Sequence, residues 1–388
     1  MIKKVFPVLA LAMFSSILGN GIITPILPLY VQSMGATGFW LGVIMASFGA
    51  TSIASTPIFG RLSDRKGRKL FLCAGLLSYA IISLGYIGAS DVLTLTLVRA
   101  LQGAASGMII PIALAYIGDI SPKREEGKWM GYANAAFFSG FGFGPLMGGI
   151  LTEHFGMTVT FSLMAVLNLF AFLVALIFLP DVKSRQLRKE TYNLSFREMN
   201  KSKMVQGIFT FRLTQSVGRA ASMTFLPIFA ATYIGLSLTL IGIIISVRVL
   251  LMSALIPIGG RIADRFNRQR LVIGGSLFFF LAIVLIPLAS GFRDLFLLSA
   301  LMACGGALSI PAASALTVDE GRKFGMGSMM AMLTVGMNIG MALGPVISGS
   351  IVDLTGINSA FYFGGAAVIT GAGLFMWFTG KYAAGVTG

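Results

Sequence analysis

The sequence predicts an all-α polytopic membrane protein with twelve transmembrane helices in two pseudo-symmetric six-helix bundles. Three observations lead there: an apolar composition, basic residues gathered into alternate loops, and an internal repeat in a 200-residue register. Of the 388 residues, 56% are hydrophobic and 11% charged, whereas soluble domains carry roughly 25% charged side chains. That balance excludes a single soluble enzyme, a disordered chain and a secreted disulfide scaffold. The length suits about a dozen spans of roughly 20 apolar residues each, plus short loops.

Apolar runs bounded by breakers place spans at 6–31, 39–59, 70–89, 93–117, 129–151 and 158–180 in the first half. In the second half they fall at 205–234, 237–259, 271–290, 295–317, 325–349 and 359–380. The runs are too long, and too free of polar alternation, for barrel strands. The first run exceeds the apolar core of a signal peptide and carries Asn20, Pro25 and Pro28, so it reads as a retained span.

The charges assign the orientation. Of the 29 basic residues, 24 lie at the termini, in the central segment, or in the loops after the second, fourth, eighth and tenth spans. Arg293 alone lies in the opposite set of loops, and Arg99, Arg212, Arg219 and Arg248 fall within spans. Basic loops stay in the cytoplasm, so both termini and the central segment are expected there, in the cell (inner) membrane. The net charge of +15 is then topological and predicts no nucleic-acid partner, which would need a basic face on a folded domain. Cys73 and Cys304 lie in separate apolar runs, give no disulfide or metal-ligand spacing, and read as buried apolar side chains. No cofactor or metal is called for, and a functional monomer in the bilayer is expected.

Shifting the chain by 200 positions superimposes its landmarks. Gly60-Arg61-Leu62-Ser63-Asp64-Arg65 falls on Gly260-Arg261-Ile262-Ala263-Asp264-Arg265, Pro111 on Pro311, Asp119 on Asp319, and Gly144-Pro145 on Gly344-Pro345. Six helices per half, an even number, insert both halves in the same sense, with a symmetry axis along the membrane normal. The expected organisation is therefore a bundle over 1–180, a cytoplasmic linker over 181–204 and a bundle over 205–388. Such a plan belongs to secondary transporters, with substrate held near the midplane and access alternating.

The segment from Gly60 to Lys69 resembles the loop signature between helices 2 and 3 of the major facilitator superfamily. That resemblance implies a conformational switch built from Gly60, Asp64, Arg65 and Arg68 with Asp119 ending the fourth span, and repeated by Asp264, Arg268 and Asp319. In the second copy Asn267 and Gln269 replace Gly67 and Lys69. Gly140, Gly144, Pro145, Gly148 and Gly149 match the glycine–proline pattern of drug-exporting branches, where small residues allow close helix contact. A partial echo at Gly340, Gly344, Pro345 and Gly349 belongs to the repeat. Arg99-Ala100-Leu101-Gln102-Gly103 is similar to a fourth-helix motif whose arginine takes part in proton coupling. The stretch from Ile23 to Tyr30 also resembles drug/proton antiporters of twelve helices.

Intramembrane charges are costly and mark pathways. Arg219 and Arg248 lie within roughly two turns of the midplane, too deep to snorkel readily, and are expected to bind substrate. Arg212, Gln215 and Arg219 share one helical stripe, and Arg212 could equally snorkel to the interface. Asn20, Arg99, Gln102, Asn134, Gln215 and Asn338 complete the polar candidates for a substrate cavity, with Tyr30 and Tyr233 near its outer end. No Asp or Glu lies deep in any span, and Asn20 stands where cation exporters of this kind bear an acid. A basic cavity favours anionic, zwitterionic or neutral amphiphiles over cations. His154 reads as a surface residue. Two functions remain open: proton-coupled export of amphiphilic small molecules, and import or exchange of a small organic anion. A polytopic enzyme is disfavoured, since the spans hold no carboxylate pair, Cys/His cluster or nucleophile–base set.

Overall fold

The computed structural model describes residues 2–122, 125–181, 199 and 201–383. The described helices run α1 (Ile2–Ser33), α2 (Gly38–Lys66), α3 (Arg68–Gly88), α4 (Val92–Ile120) and α5 (Glu126–Phe178), then α6 (Lys203–Thr232), α7 (Leu238–Arg265) and α8 (Arg268–Leu285). A 3₁₀ turn (Ile286–Leu288) precedes α9 (Phe292–Phe324), α10 (Met326–Thr355) and α11 (Asn358–Ala383). No strand occurs among the described residues.

These are eleven helical elements where the sequence predicts twelve. The fifth and sixth predicted spans fall in one element, α5, broken only at Gly156. Its backbone, at φ 82° and ψ 168°, lies in a region that L side chains rarely adopt. A single glycine thus does the work expected of a loop. Several helices also outrun their predicted ends. The last turn of α2 includes Arg65 and Lys66, and that of α9 includes Arg322 and Lys323. Lys and Arg are good helix formers, and their charge is favourable at a helix C-terminus.

Ten helices are long and apolar enough to cross a membrane among the described residues. The one long helix outside that set is α6, where Arg212, Gln215 and Arg219 interrupt the apolar run. The loop cations Lys123, Arg124, Lys183, Arg185, Arg188, Lys189 and Arg197 lie outside the described residues.

The chain forms two compact units, one drawn from Met1–Ala36, Val43–Arg188 and Gly235–Ser246, the other from Thr37–Gly42, Lys189–Ile234 and Val247–Gly388. In the first unit, α1 lies along α5, and α3 packs on both α4 and α5. Gly144 explains how close α1 and α5 come. A Cβ there would sit 2.6 Å from the Cα of Gly21, so any side chain would push the helices apart. Leu9, Met13, Leu72, Leu76, Ile109 and Tyr116 are buried in the core this packing creates. Asp91 caps α4 by accepting from the Thr94 amide at 2.9 Å and the Thr94 hydroxyl at 2.6 Å. Those bonds hold its carboxyl below the usual carboxylate range. In the second unit, α6 packs on α10 and α11, and α8 on α9 and α11, repeating the pattern of the first. Cys73 is buried as expected, whereas Cys304 is only half-buried.

Candidate functional site: intramembrane arginines and basic-end ion pairs

Within the first unit, Arg99 on α4 is 6% exposed. Its Nη1 donates to the Gln102 side-chain oxygen at 2.8 Å and to Asn20 Oδ1 at 3.2 Å. The Tyr86 hydroxyl donates to the same Gln102 oxygen at 2.6 Å, and the Phe48 ring lies 4.6 Å from the guanidinium carbon. Helical spacing explains the inner pair, since positions three apart on α4 share a face. Helix packing adds Asn20, Tyr86 and Phe48 from α1, α3 and α2. Arg99 Nε, Gln102 Nε2 and the Tyr79 hydroxyl are buried there without a hydrogen-bond partner among the described residues. The cluster holds a cation with neutral oxygens and an aromatic face, and no described carboxylate neutralises it.

Within the second unit, Arg248 on α7 is also 6% exposed, and its Nη1 lies 3.5 Å from the Ser222 hydroxyl on α6. Arg219 is half-buried one turn before Ser222, within electrostatic reach of both Arg248 and Arg212. Arg212 is half-buried, its Nη2 3.7 Å from the Met337 sulfur and its Nε unpartnered among the described residues. Gln215 is buried with its side-chain oxygen likewise unpartnered. No described Asp or Glu lies within ion-pair distance of these arginines. The result is a run of cations down α6 and onto α7. In low dielectric their repulsion is relieved by an anion or by water.

The other polar candidates are less gathered. Asn338 is half-buried and Asn134 exposed, neither with a hydrogen-bonded partner among the described contacts. The Tyr30 hydroxyl is engaged structurally, donating to the Ala89 carbonyl at 2.7 Å. Tyr233 is exposed and stacks on Phe229. His154 is exposed.

At the basic-loop end of the helices, Arg68 pairs with Asp119 and, at 3.0 Å, with Asp64. The equivalent Arg268 pairs with Asp319 and donates to the Ala263 carbonyl at 3.3 Å. The two pairs differ in burial. Side-chain exposure is 8% and 9% for Arg68 and Asp119, but 31% and 47% for Arg268 and Asp319. Gly60, Arg65 and Asp264 stand on the same helix ends, with Arg65 and Asp264 exposed.

The glycine pattern on α5 serves two neighbours. Gly140, Gly144 and Gly148 face α1, where a Cβ would meet the Phe14 carbonyl oxygen, the Gly21 Cα and the Ile22 carbonyl oxygen at 2.4–2.8 Å. Gly149 faces α7, where a Cβ would meet the Leu238 carbonyl oxygen at 2.3 Å.

Sequence reasoning missed Tyr86, Phe48 and Ser222, the partners of the arginines, and they left a usable signal. In the 200-residue register Arg219 corresponds to Gly19, Arg248 to Phe48 and Arg99 to Ser299. Positions where a repeat abandons its own symmetry for a buried charge are where the scaffold alone does not require that residue.

The family model described as Major Facilitator Superfamily matches residues 9–217 and 208–385. The chain belongs to that superfamily. It is a multi-pass membrane transporter of small molecules and resembles the superfamily's drug/proton antiporters. An uncharacterized MFS-type transporter of Methanocaldococcus jannaschii is 30% identical over 93% of this chain and 94% of its own length. Multidrug resistance protein 2 of Bacillus subtilis is 27% identical, covering 96% of this chain and 95% of its own. Quinolone resistance protein NorA of Staphylococcus aureus is 27% identical over 91% and 90%. Among solved structures, a single-site mutant of the nucleoside transporter NupG has a TM-score of 0.81 at 16% identity, over 96% of this chain and 99% of that one. At that identity the likeness speaks for the fold alone.

Proposed function

We propose that this superfamily member exports amphiphilic small molecules by alternating access, driven by protons, and that Arg219 and Arg248 receive an acidic or electron-rich group of the substrate. The observation that carries the substrate charge is the line of arginines on α6 and α7 without a carboxylate partner among the described residues. A cationic substrate would add repulsion to theirs, whereas an anionic group relieves it. Relatives named for multidrug and quinolone resistance support export over import. Gln215, Asn338, Asn134, Asn20 and Gln102 supply neutral hydrogen-bonding groups around the substrate, and Arg99 takes part in proton coupling. Asp64, Arg65, Arg68 and Asp119, with Gly60, form one switch, and Asp264, Arg268 and Asp319 the other. The working molecule is a monomer of two bundles, 1–180 and 205–388, joined by a linker over 181–204. It lies in the cell (inner) membrane with both termini cytoplasmic.

A second reading, exchange of a small organic anion, is favoured by the same arginines and differs in needing no proton gradient. Proteoliposomes carrying the purified protein separate the two. Under an imposed pH gradient, an anionic amphiphilic dye should accumulate several-fold faster than a cationic one, and Arg219→Ala or Arg248→Ala should abolish the difference. Movement of the anion only against a counter-anion, indifferent to pH, supports exchange. Equal transport of the two dyes by both variants and the parent protein removes the site assignment.

A further inference from the structure

Glu153 and Asp353 stand 200 residues apart, at the helix ends away from the basic loops. Each receives hydrogen bonds from the first turn of a helix distant in sequence. Asp353 accepts from the Gly38 amide at 2.6 Å and the Phe39 amide at 2.9 Å, at the start of α2. Glu153 accepts from the Thr239 amide at 2.8 Å, at the start of α7. First-turn amides have no partner within their own helix, and they form the positive end of its dipole.

Ordinary capping does not account for these bonds. Both helices already carry a local hydroxyl cap, Thr37 reaching the Trp40 amide and Ser237 the Leu240 amide, again 200 residues apart. The carboxylates come in addition, from sequence separations of 315, 314 and 86 residues. Beneath each bond the backbones nearly touch on glycine. A Cβ on Gly349 would lie 2.0 Å from the Gly38 carbonyl oxygen, and one on Gly149 2.3 Å from that of Leu238. One turn deeper, a Cβ on Gly42 or on Gly242 would lie 2.4 Å from the carbonyl oxygen of Pro345 or Pro145. At these glycines backbone meets backbone, so parting there displaces few side chains. The carboxylates are the polar fastening, and both are exposed, where water can replace the amides on release.

The copies differ in one respect. Pro145 and Pro345 lie inside α5 and α10, and the Leu146 amide donates to the Ser246 hydroxyl on α7 at 2.9 Å. Position 46, its counterpart on α2, is alanine. The α5–α7 contact therefore has a further polar bond deeper than its carboxylate, for which alanine at position 46 gives the α10–α2 contact no equivalent.

We infer that Asp353 and Glu153 are paired releasable tethers of the transport cycle, holding the first turns of α2 and α7 in the conformation of this structure and freeing them in the opposite-facing one. The start of α2, to Gly42, belongs to one compact unit and the rest of that helix to the other, and α7 is divided in the reverse sense after Ser246. The inference rests on alternating access and is independent of what the substrate is.

The test uses the full chain in nanodiscs without substrate, with Cys73 and Cys304 replaced by serine and spin labels at Ser90→Cys and Arg293→Cys. Pulsed electron paramagnetic resonance then reads the distance between the two labelled loops. The near-isosteric double variant Asp353→Asn/Glu153→Gln should raise the population of a longer distance at least about five-fold. Each single variant should raise it less, Asp353→Asn more than Glu153→Gln because Ser246 still holds α7. Hydrogen exchange should quicken in 38–42 for Asp353→Asn and in 238–242 for Glu153→Gln, and stay unchanged in α3 and α8. An unchanged distance distribution in the double variant overturns the inference, as does exchange that quickens uniformly along the chain. Either result leaves the substrate assignment standing, and loss of dye transport in the arginine variants leaves the tethers standing.

Discussion

Two ion pairs in equivalent positions should differ several-fold in energetic weight, because only one of them is buried. Arg68 and Asp119 have side-chain exposures of 8% and 9%, and Arg68 also reaches Asp64 at 3.0 Å. Removing one member of a buried pair strands a charge and costs about 3–5 kcal/mol. Asp64 is 54% exposed and continues to pair with Arg68, which lowers the expected loss for Asp119→Ala to about 2–3 kcal/mol. Arg268 and Asp319, at 31% and 47% exposure, resemble a surface pair worth about 0–1 kcal/mol. Double-mutant cycles isolate the two coupling energies. The assay is reversible unfolding of the purified protein in mixed micelles, for Arg68→Ala with Asp119→Ala and for Arg268→Ala with Asp319→Ala. The first cycle should show coupling of about 2 kcal/mol or more and the second no more than about 1 kcal/mol. Equal couplings, or a larger one for Arg268–Asp319, would refute the argument that burial rather than motif membership sets the strength.

Replacing Gly144 by valine should abolish folded protein on size-exclusion chromatography, because its Cβ would meet the Gly21 backbone at 2.6 Å, whereas Gly131→Ala, with open space around it, should elute normally. Tyr86→Phe should cost about 1 kcal/mol in the same unfolding assay through loss of its bond to Gln102. Asp64→Asn, which leaves the Arg68–Asp119 pair in place, should slow dye transport without changing the apparent affinity; normal turnover would deprive Asp64 of a switching role. Arg99→Lys should couple protons poorly, because an ammonium presents no planar fork to Asn20 and Gln102 together; dye uptake under a pH gradient that matches the parent protein would contradict this.

Composition, loop charge and repeat are properties of the chain in one dimension, and for that reason they announced a helical membrane protein with a doubled plan. Helical spacing accounts for the pairing of Arg99 with Gln102, which the sequence had offered only as two members of one motif. Rise per residue likewise converted position into an expected depth for Arg219 and Arg248. What packs against what is decided in three dimensions. No periodicity told that Phe48 would lie over Arg99, that Ser222 would face Arg248, or that Asp353 would reach the amides of Gly38 and Phe39 across 315 and 314 residues. Nor did the motif distinguish the buried Arg68 pair from its exposed counterpart. A register lists which residues correspond, but solvent access depends on neighbours from other helices, and these are placed only when the backbones close on their glycines.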